Sequence, residues 1–378
     1  MSEQHGGVVR LRPISEVAEF QRNLIPTNIP EKYKLKSMFE DVASEENICG
    51  GVVAFRDFLL ILCDRLISDG HVYAKPPKKP TSIADYPFLY NITNLLVDIG
   101  YHGELSENGE TLVVAKLPVC TASIDEKGKK KSPKISVSAL LNCMEFLTLC
   151  GFCFSGIDLK EKNFNISEAQ PLKVSFPGNS LLSTGLRAMS IAEMELRTTR
   201  RYWNDNNLLR CDYRLLKAEV SDMRDVLVDF LHPLPRDVQE FALQLHERYT
   251  NMGLTCVNTR LGLVSFAYAY ISKSRKSLSE REIYSKRVWE FSYSLKDGYC
   301  LFVRPKKTEN YADVIKTFDI ALQKKITQGY GCYKKLGRKR CQFDCQGIRI
   351  PLDKSTVAIG GNIETWIDQE TPSSAKKL

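Results

Sequence analysis

The sequence VWEFSYSLKDGYCLFVRPK, residues 288–306, decides the class of fold. Large apolar side chains alternate with polar ones in its first half, which is typical of a β-strand with one buried face. The apolar positions are Trp289, Phe291, Tyr293 and Leu295, and the polar positions are Glu290, Ser292 and Ser294. Residues 296–298, Lys-Asp-Gly, predict a turn into a second strand, so the stretch predicts an antiparallel hairpin.

The segments around this hairpin extend it to a domain. LTCVNTR and LVSFAYAYI precede it and predict two further strands, while RDVQEFALQLHERYTNMG and YADVIKTFDIALQKKITQG have the apolar spacing of amphipathic helices. We therefore predict a C-terminal α+β domain over residues 221–370, in which an antiparallel sheet packs against helices.

A helix that ends in glycine and leads into strands recurs along the chain. The three instances are VDIGYHGEL, TLCGFCFSG and TNMGLTCVN, with Gly100, Gly151 and Gly253 as the predicted helix ends. The first two predict helix–hairpin units over residues 49–122 and 135–215, after an irregular N-terminal arm over residues 1–48.

Helix, helix and hairpin is also the order of a winged helix. The predicted fold is therefore α+β, with two small winged-helix-like units followed by the larger antiparallel-sheet domain. The helices before the hairpins, FLYNITNLLVDI and SALLNCMEFLTLC, contain no lysine or arginine. This argues against reading of the DNA major groove by those helices.

Composition restricts compartment and partner. The 378 residues include 53 Lys and Arg against 45 Asp and Glu, and the net charge of +8 favours an anionic partner. No apolar run approaches the roughly 20 residues of a membrane span, so no membrane partner is expected. Twelve cysteines without an apolar export signal predict a cytoplasmic protein.

A basic, cysteine-bearing segment precedes the strand GIRIPLD. Cys332, Cys341 and Cys345 lie among lysines and arginines that would stabilise thiolates. Three hypotheses stay open: a zinc site that takes a fourth ligand from elsewhere, a reactive thiol, and ordinary loop cysteines. Zinc is the one cofactor that the sequence suggests, and a thiol- or zinc-dependent enzyme is one alternative function.

The C-x-x-C pair Cys150 and Cys153 is interpreted differently. Thiol oxidoreductases place such a pair before a helix, whose N-terminus lowers the thiol pKa. Here the predicted helix precedes the pair, so both cysteines are predicted to be buried core residues. The alternative is zinc binding by the pair, which the sequence offers no second C-x-x-C pair to complete.

A second alternative function is nucleic-acid binding through RTTRRYWNDNNLLRCDYR, residues 197–214. Mixed cations and aromatic rings suit single-stranded nucleic acid, because bases stack while cations hold phosphates. The candidate residues are Arg197, Arg200, Arg201, Tyr202, Trp203, Arg210 and Arg214. The competing interpretation is a helix end whose aromatic rings pack into neighbouring structure.

Sequence motifs of catalysis are missing. There is no P-loop, dinucleotide-binding loop, H-E-x-x-H motif or G-x-S-x-G elbow. The leading hypothesis is therefore a non-enzymatic cytosolic binding or regulatory protein, with its ligand on the aromatic face of the C-terminal sheet. The predicted ligand-binding residues are Trp289, Phe291, Tyr293, Tyr268 and Tyr270.

Residues 285–368 carry a family resemblance. VWEFSYSLKDGYCLFVRPKK, GYGC, CQFDCQGIRIPLD and NIETWID resemble uncharacterised bacterial cytosolic proteins with a cysteine-bearing segment before a GIRIPLD-like strand. The resemblance implies that the cysteine segment is a recurring structural element. It implies no activity.

Overall fold

The chain forms two compact units, residues 1–221 and 222–378, in a computed structural model. The described residues are 10–121, 123–124, 130–131, 133–157, 166–199, 208–259, 264–271, 280–305, 308–328 and 347–372. The second unit begins one residue after the predicted start of the C-terminal domain. Helices and antiparallel sheets are mixed in the chain, which confirms the α+β class.

The N-terminal unit combines helices with short strands. Its helices are α1 (Ile14–Arg22), α2 (Glu45–Ser68), α3 (Gly70–Tyr73), α4 (Pro87–His102), α5 (Val137–Leu149) and α6 (Leu182–Thr199). Its strands are β1 (Gly103–Leu105), β2 (Thr111–Val114), β3 (Ser123–Ile124), β4 (Lys130–Lys131), β5 (Cys153–Ser155) and β6 (Leu172–Ser175). Short 3-10 helices cover Ser37–Phe39, Pro118–Cys120, Leu208–Arg210 and Tyr213–Leu215.

The two predicted helix–hairpin units share one sheet. Strands β2 and β6 pair in register, with Leu112 opposite Val174, and give the order β1-β2-β6-β5. The hairpins are therefore halves of one four-stranded antiparallel sheet. This pairing joins residues about 60 positions apart, which local sequence patterns do not indicate.

The predicted N-terminal arm belongs to the same unit. Helix α1 packs on α2, and Ile14, Val17 and Ala18 are buried there. Helix α2 begins at Glu45, where the Ser44 side chain accepts a hydrogen bond from the Asn47 amide, so the boundary predicted at residue 49 falls inside the helix.

Helix α6 packs against both α2 and α4 through glycines. A Cβ atom on Gly185 would lie within 2.2 Å of the Gly51 carbonyl carbon, so the α2 and α6 backbones touch. A Cβ on Gly100 would lie 2.6 Å from the Leu186 carbonyl oxygen. The prediction that Gly100 ends its helix is wrong, because α4 continues to His102 and Gly100 is where α6 crosses it.

The other two predicted helix ends are confirmed. Gly151 (φ +104°) and Gly253 (φ +88°) each lie two residues after the last helical residue, in the left-handed conformation that glycine adopts without strain.

The C-terminal unit contains a larger sheet and further helices. Its helices are α7 (Met223–Leu231), α8 (Arg236–Asn251), α9 (Glu280–Ser285), α10 (Ala312–Ile315), α11 (Ile320–Gln328), α12 (Lys354–Ala358) and α13 (Gly360–Glu370), with a 3-10 helix at Thr308–Tyr311. Its strands are β7 (Leu254–Thr259), β8 (Val264–Tyr270), β9 (Arg287–Ser294), β10 (Gly298–Val303) and β11 (Ile348–Pro351). All pair antiparallel in the order β11-β10-β9-β8-β7.

Strand β9 is buried on both faces, so the prediction of one buried face is wrong. Glu290 and Ser292 are 0% and 4% exposed, although they point away from the aromatic face. The Glu290 carboxylate forms an ion pair with Arg287, 2.8 Å from Oε2 to Nε. The Arg287 guanidinium also lies 5.0 Å from the centre of the Phe302 ring. The ion pair offsets part of the cost of removing both charges from water, so the two side chains can be buried together. A single unpaired carboxylate would be too costly to bury there.

Candidate functional site

The predicted ligand-binding aromatic residues form part of the core of the C-terminal unit. Tyr268 and Trp289 stack in parallel with ring centres 3.7 Å apart, and Phe291 meets both rings edge-on. All three are fully buried, and Tyr293 stacks on Tyr299 with ring centres 4.0 Å apart. The remaining residue, Tyr270, is half-buried opposite Leu254 at the end of β8. These rings fill space beside one another, and a ligand pocket next to them stays a prediction.

One polar group of this aromatic cluster is bound internally, whereas the Trp289 Nε1 atom is buried without a hydrogen-bond partner in the described part of the chain. The Tyr268 hydroxyl is 2.8 Å from Nδ1 of His246 on α8. Burial lowers the pKa of His246 and raises the pKa of the Cys256 thiol to about 12. Burial, and then the neighbouring Cys256, also raise the pKa of Tyr268. All three groups are neutral at pH 7, so the cluster links α8 to the sheet and contains no activated nucleophile.

The described arginines of the predicted nucleic-acid segment make contacts within the chain. Arg197 pairs with Glu193 at 3.1 Å and donates to Asn94 at 3.0 Å. Arg214 pairs with Asp212 and lies over the Tyr213 ring. Arg210 is the last residue of the 3-10 helix Leu208–Arg210 and also interacts with other residues of the chain. Arg200, Arg201, Tyr202 and Trp203 lie outside the described residues, and the nucleic-acid interface stays a prediction.

The predicted zinc or thiol residues Cys332, Cys341 and Cys345 also lie outside the described residues. Within the described ranges, no cluster of His, Cys, Asp and Glu has a metal-binding arrangement. Burial raises the pKa of Cys150 to about 12, as expected for a core thiol. Cys153 is exposed on β5, so its predicted burial is wrong. The zinc and thiol hypotheses stay predictions.

A groove in the N-terminal unit has the combination of groups that a binding site requires. It has a volume of about 370 Å³ and lies among helices α3, α4 and α5. It is lined by Tyr73, Lys75, Phe88, Asn91, Ser138, Ala139 and Asn142. Such a volume is at the lower end of the range for small-molecule sites. We call it the α3–α4–α5 groove.

Aromatic rings form the apolar part of the groove. The Phe88 ring is buried and meets Phe146 of α5 edge-on, with ring centres 5.4 Å apart. The half-buried Tyr73 ring stacks on Phe88 at 6.3 Å and also meets Phe146 at 5.1 Å. Contact with Phe146 fixes both rings, so they present a preformed apolar surface.

The polar groups of the groove are largely without internal partners. Asn91 and Lys75 form no side-chain hydrogen bond or ion pair within the described chain. Asn142 donates through Nδ2 to the Tyr73 carbonyl at 3.2 Å, which leaves Oδ1 as an acceptor. Partial burial, and then Glu145 and Asp69, raise the pKa of Tyr73, so its hydroxyl is neutral. The groove thus offers a cation, two amides and a neutral phenol.

Local sequence features bring these side chains together. Pro87 is the first residue of α4, a position that needs no backbone donor, and it places Phe88 and Asn91 at the start of that helix. The Ser136 side chain accepts from the Ala139 amide and starts α5, which places Ser138, Ala139 and Asn142 in its first turns. The sequence did not predict this site. The available signal was an asparagine in the first two turns of each of two helices rich in apolar residues, Asn91 and Asn142.

Comparisons with known proteins add no assignment. No protein-family model, curated protein or solved structure matches the chain. Within the described ranges, no helix has the length and apolar character of a membrane span.

Proposed function

We propose that this chain is a non-enzymatic binding or regulatory protein that binds an anionic ligand in the α3–α4–α5 groove. One observation carries the proposal: Lys75 and Asn91 lack internal partners beside the fixed rings of Tyr73 and Phe88. A cation and an amide at an apolar floor suit a ligand with a flat apolar part and a carboxylate or similar anion. The net charge of +8 also favours an anionic ligand.

Magnitudes indicate weak binding for a minimal ligand. Covering one aromatic ring contributes about 1.5–3 kcal/mol, one hydrogen bond from Asn91 about 1 kcal/mol, and an exposed ion pair with Lys75 at most about 1 kcal/mol. The total of about 2.5–5 kcal/mol, before the cost of lost translational and rotational freedom is subtracted, corresponds to a Kd of about 0.2–15 mM. A single-ring carboxylate should therefore bind detectably but weakly.

The test is ligand-observed NMR, which detects millimolar binding, with benzoate, benzyl alcohol and benzylamine as probes. We expect saturation transfer to benzoate that exceeds transfer to benzylamine and that falls in Lys75→Ala and Asn91→Ala. The matched control is Lys116→Ala, which removes an exposed lysine elsewhere in the same unit. Equal benzoate signals in the wild type and both groove variants would place binding elsewhere and overturn the proposal, as would the absence of binding by every probe.

A further inference from the structure

The rim of the α3–α4–α5 groove exposes apolar side chains. Val72 is 58% exposed, Tyr90 44% and Val137 40%, and each directly precedes a residue that lines the groove. These three side chains are not among the residues that line the groove. Exposed apolar side chains beside a groove are typical of a site for a macromolecular partner.

Cations border the same groove. Lys75, Lys78 and Lys79 are exposed and have no ion-pair partner within the described chain. They lie in KPPKKP, residues 75–80: Lys75 lines the groove, and Lys78 and Lys79 follow it within four residues in a segment whose prolines restrict the backbone.

Acidic groups nearby leave a net positive rim. Arg65 pairs with Asp69, whereas Asp85 accepts hydrogen bonds from the uncharged Thr81 and keeps its negative charge. The three lysines outnumber the two remaining carboxylates, Asp85 and Glu145. Glu145, on α5, is one of two carboxylates, with Asp69, whose charges raise the pKa of Tyr73 after the larger effect of burial. A partner segment with several carboxylates would match the lysines, with one of its ends kept away from Glu145.

We propose that the groove binds an acidic peptide segment of a partner protein, and this rests on the proposed function above. One aromatic or branched apolar side chain of the segment packs against Tyr73 and Phe88. The amides of Asn91 and Asn142 hydrogen-bond the peptide backbone, and flanking carboxylates face Lys75, Lys78 and Lys79. The two rings therefore select an apolar side chain of the peptide, and the lysines select acidic residues on either side of it.

The experiment is a selection of random heptapeptides displayed on phage, with the full chain as the immobilised target. The counter-target is the charge-reversed variant Lys75→Glu/Lys78→Glu/Lys79→Glu. We expect enriched peptides to carry at least two acidic residues near one aromatic or leucine residue. Fluorescence anisotropy of a labelled enriched peptide should show at least tenfold weaker binding to the charge-reversed variant and to the wild type at high salt.

A matched control reverses three exposed lysines elsewhere in the N-terminal unit, Lys32→Glu/Lys34→Glu/Lys116→Glu. It changes the net charge equally, so unchanged binding there assigns the effect to the groove. Enriched peptides without acidic residues, or equal binding to both triple variants, would overturn the proposal.

The two proposals fail in distinguishable ways. If no peptide is enriched while benzoate binds and Asn91→Ala abolishes that binding, the groove is a small-molecule site and only the peptide inference fails. If neither benzoate nor any peptide binds the wild type, both fail.

Discussion

The N-terminal and C-terminal units each contain a pair of adjacent aromatic rings, and the surroundings of the two pairs are opposite. Tyr268 and Trp289 stack in full burial, and the Tyr268 hydroxyl is bound to His246. Tyr73 and Phe88 stack beside a groove in which Asn91 has no internal partner. Aromatic rings alone therefore do not mark a site. Polar side chains that lack partners and are also accessible to solvent, such as Lys75 and Asn91, distinguish the groove from the core, where the unpartnered Trp289 Nε1 is buried.

The largest expected effect is a difference in the free energy of unfolding between substitutions in the two aromatic pairs. Trp289→Ala removes a fully buried ring and should lower the free energy of unfolding of the C-terminal unit by about 3–5 kcal/mol. Tyr73→Ala removes a half-buried ring and should cost about 1 kcal/mol in the N-terminal unit. Urea unfolding followed by far-ultraviolet circular dichroism measures both. Similar costs for the two variants would contradict the contrast between closed core and open groove.

A second test concerns how the N-terminal unit is held together around its groove. Gly185→Ala forces a methyl group into the Gly51 backbone and should cost about 1–3 kcal/mol or more. Gly361→Ala, in α13, meets open space and should be neutral or stabilising by up to about 1 kcal/mol. Thermal unfolding of both variants beside the wild type measures the difference. A Gly185→Ala protein as stable as wild type would show that α2 and α6 do not touch.

Local sequence patterns predicted what depends on local geometry. The alternation in residues 288–295 located β9, and Gly151 and Gly253 located two helix ends, because these features follow from side-chain period and backbone conformation. Burial of Glu290 was not predictable in this way, because its partner Arg287 lies outside the alternating pattern. The prediction that Gly100 ends its helix was wrong for a related reason, because the contact with Leu186 that explains this glycine joins residues 86 positions apart.

The candidate site depends even more on distant contacts. Its lining residues run from Tyr73 to Asn142, on three helices and, for Lys75, just after the first of them, and only the folded chain brings these helices together. The aromatic residues of β8 and β9 stand out in the sequence because they are clustered. Asn91 and Asn142 do not, because only the structure shows whether an asparagine in a helix has a partner.

A third test uses pH to examine the closed cluster. Burial lowers the pKa of folded His246 below the roughly 6.5 of an unfolded histidine, so the unfolded chain binds the proton more readily. The free energy of unfolding should therefore fall as pH drops below about 6.5. His246→Leu should reduce this slope between pH 7 and 5. An unchanged slope, or an NMR titration that places the His246 pKa above 6.5, would contradict the buried, neutral histidine.

The smallest effect is the most informative about the groove. Lys75→Ala and Asn91→Ala remove groups without internal partners, so each should change the free energy of unfolding by less than about 0.5 kcal/mol. Tyr268→Phe, which leaves the buried His246 nitrogen without its hydroxyl partner, should cost about 1–3 kcal/mol. Urea unfolding measures all three variants.

Substitution of a residue that serves folding lowers the free energy of unfolding, whereas substitution of a residue that serves binding lowers the affinity for the ligand and leaves the free energy of unfolding unchanged. If Asn91→Ala destabilises the N-terminal unit as much as Tyr268→Phe destabilises the C-terminal unit, then Asn91 has an internal role and the groove loses its main polar group. If Asn91→Ala leaves stability unchanged and weakens benzoate binding, its amide is available to a ligand. The contrast between the two aromatic pairs then becomes a functional difference.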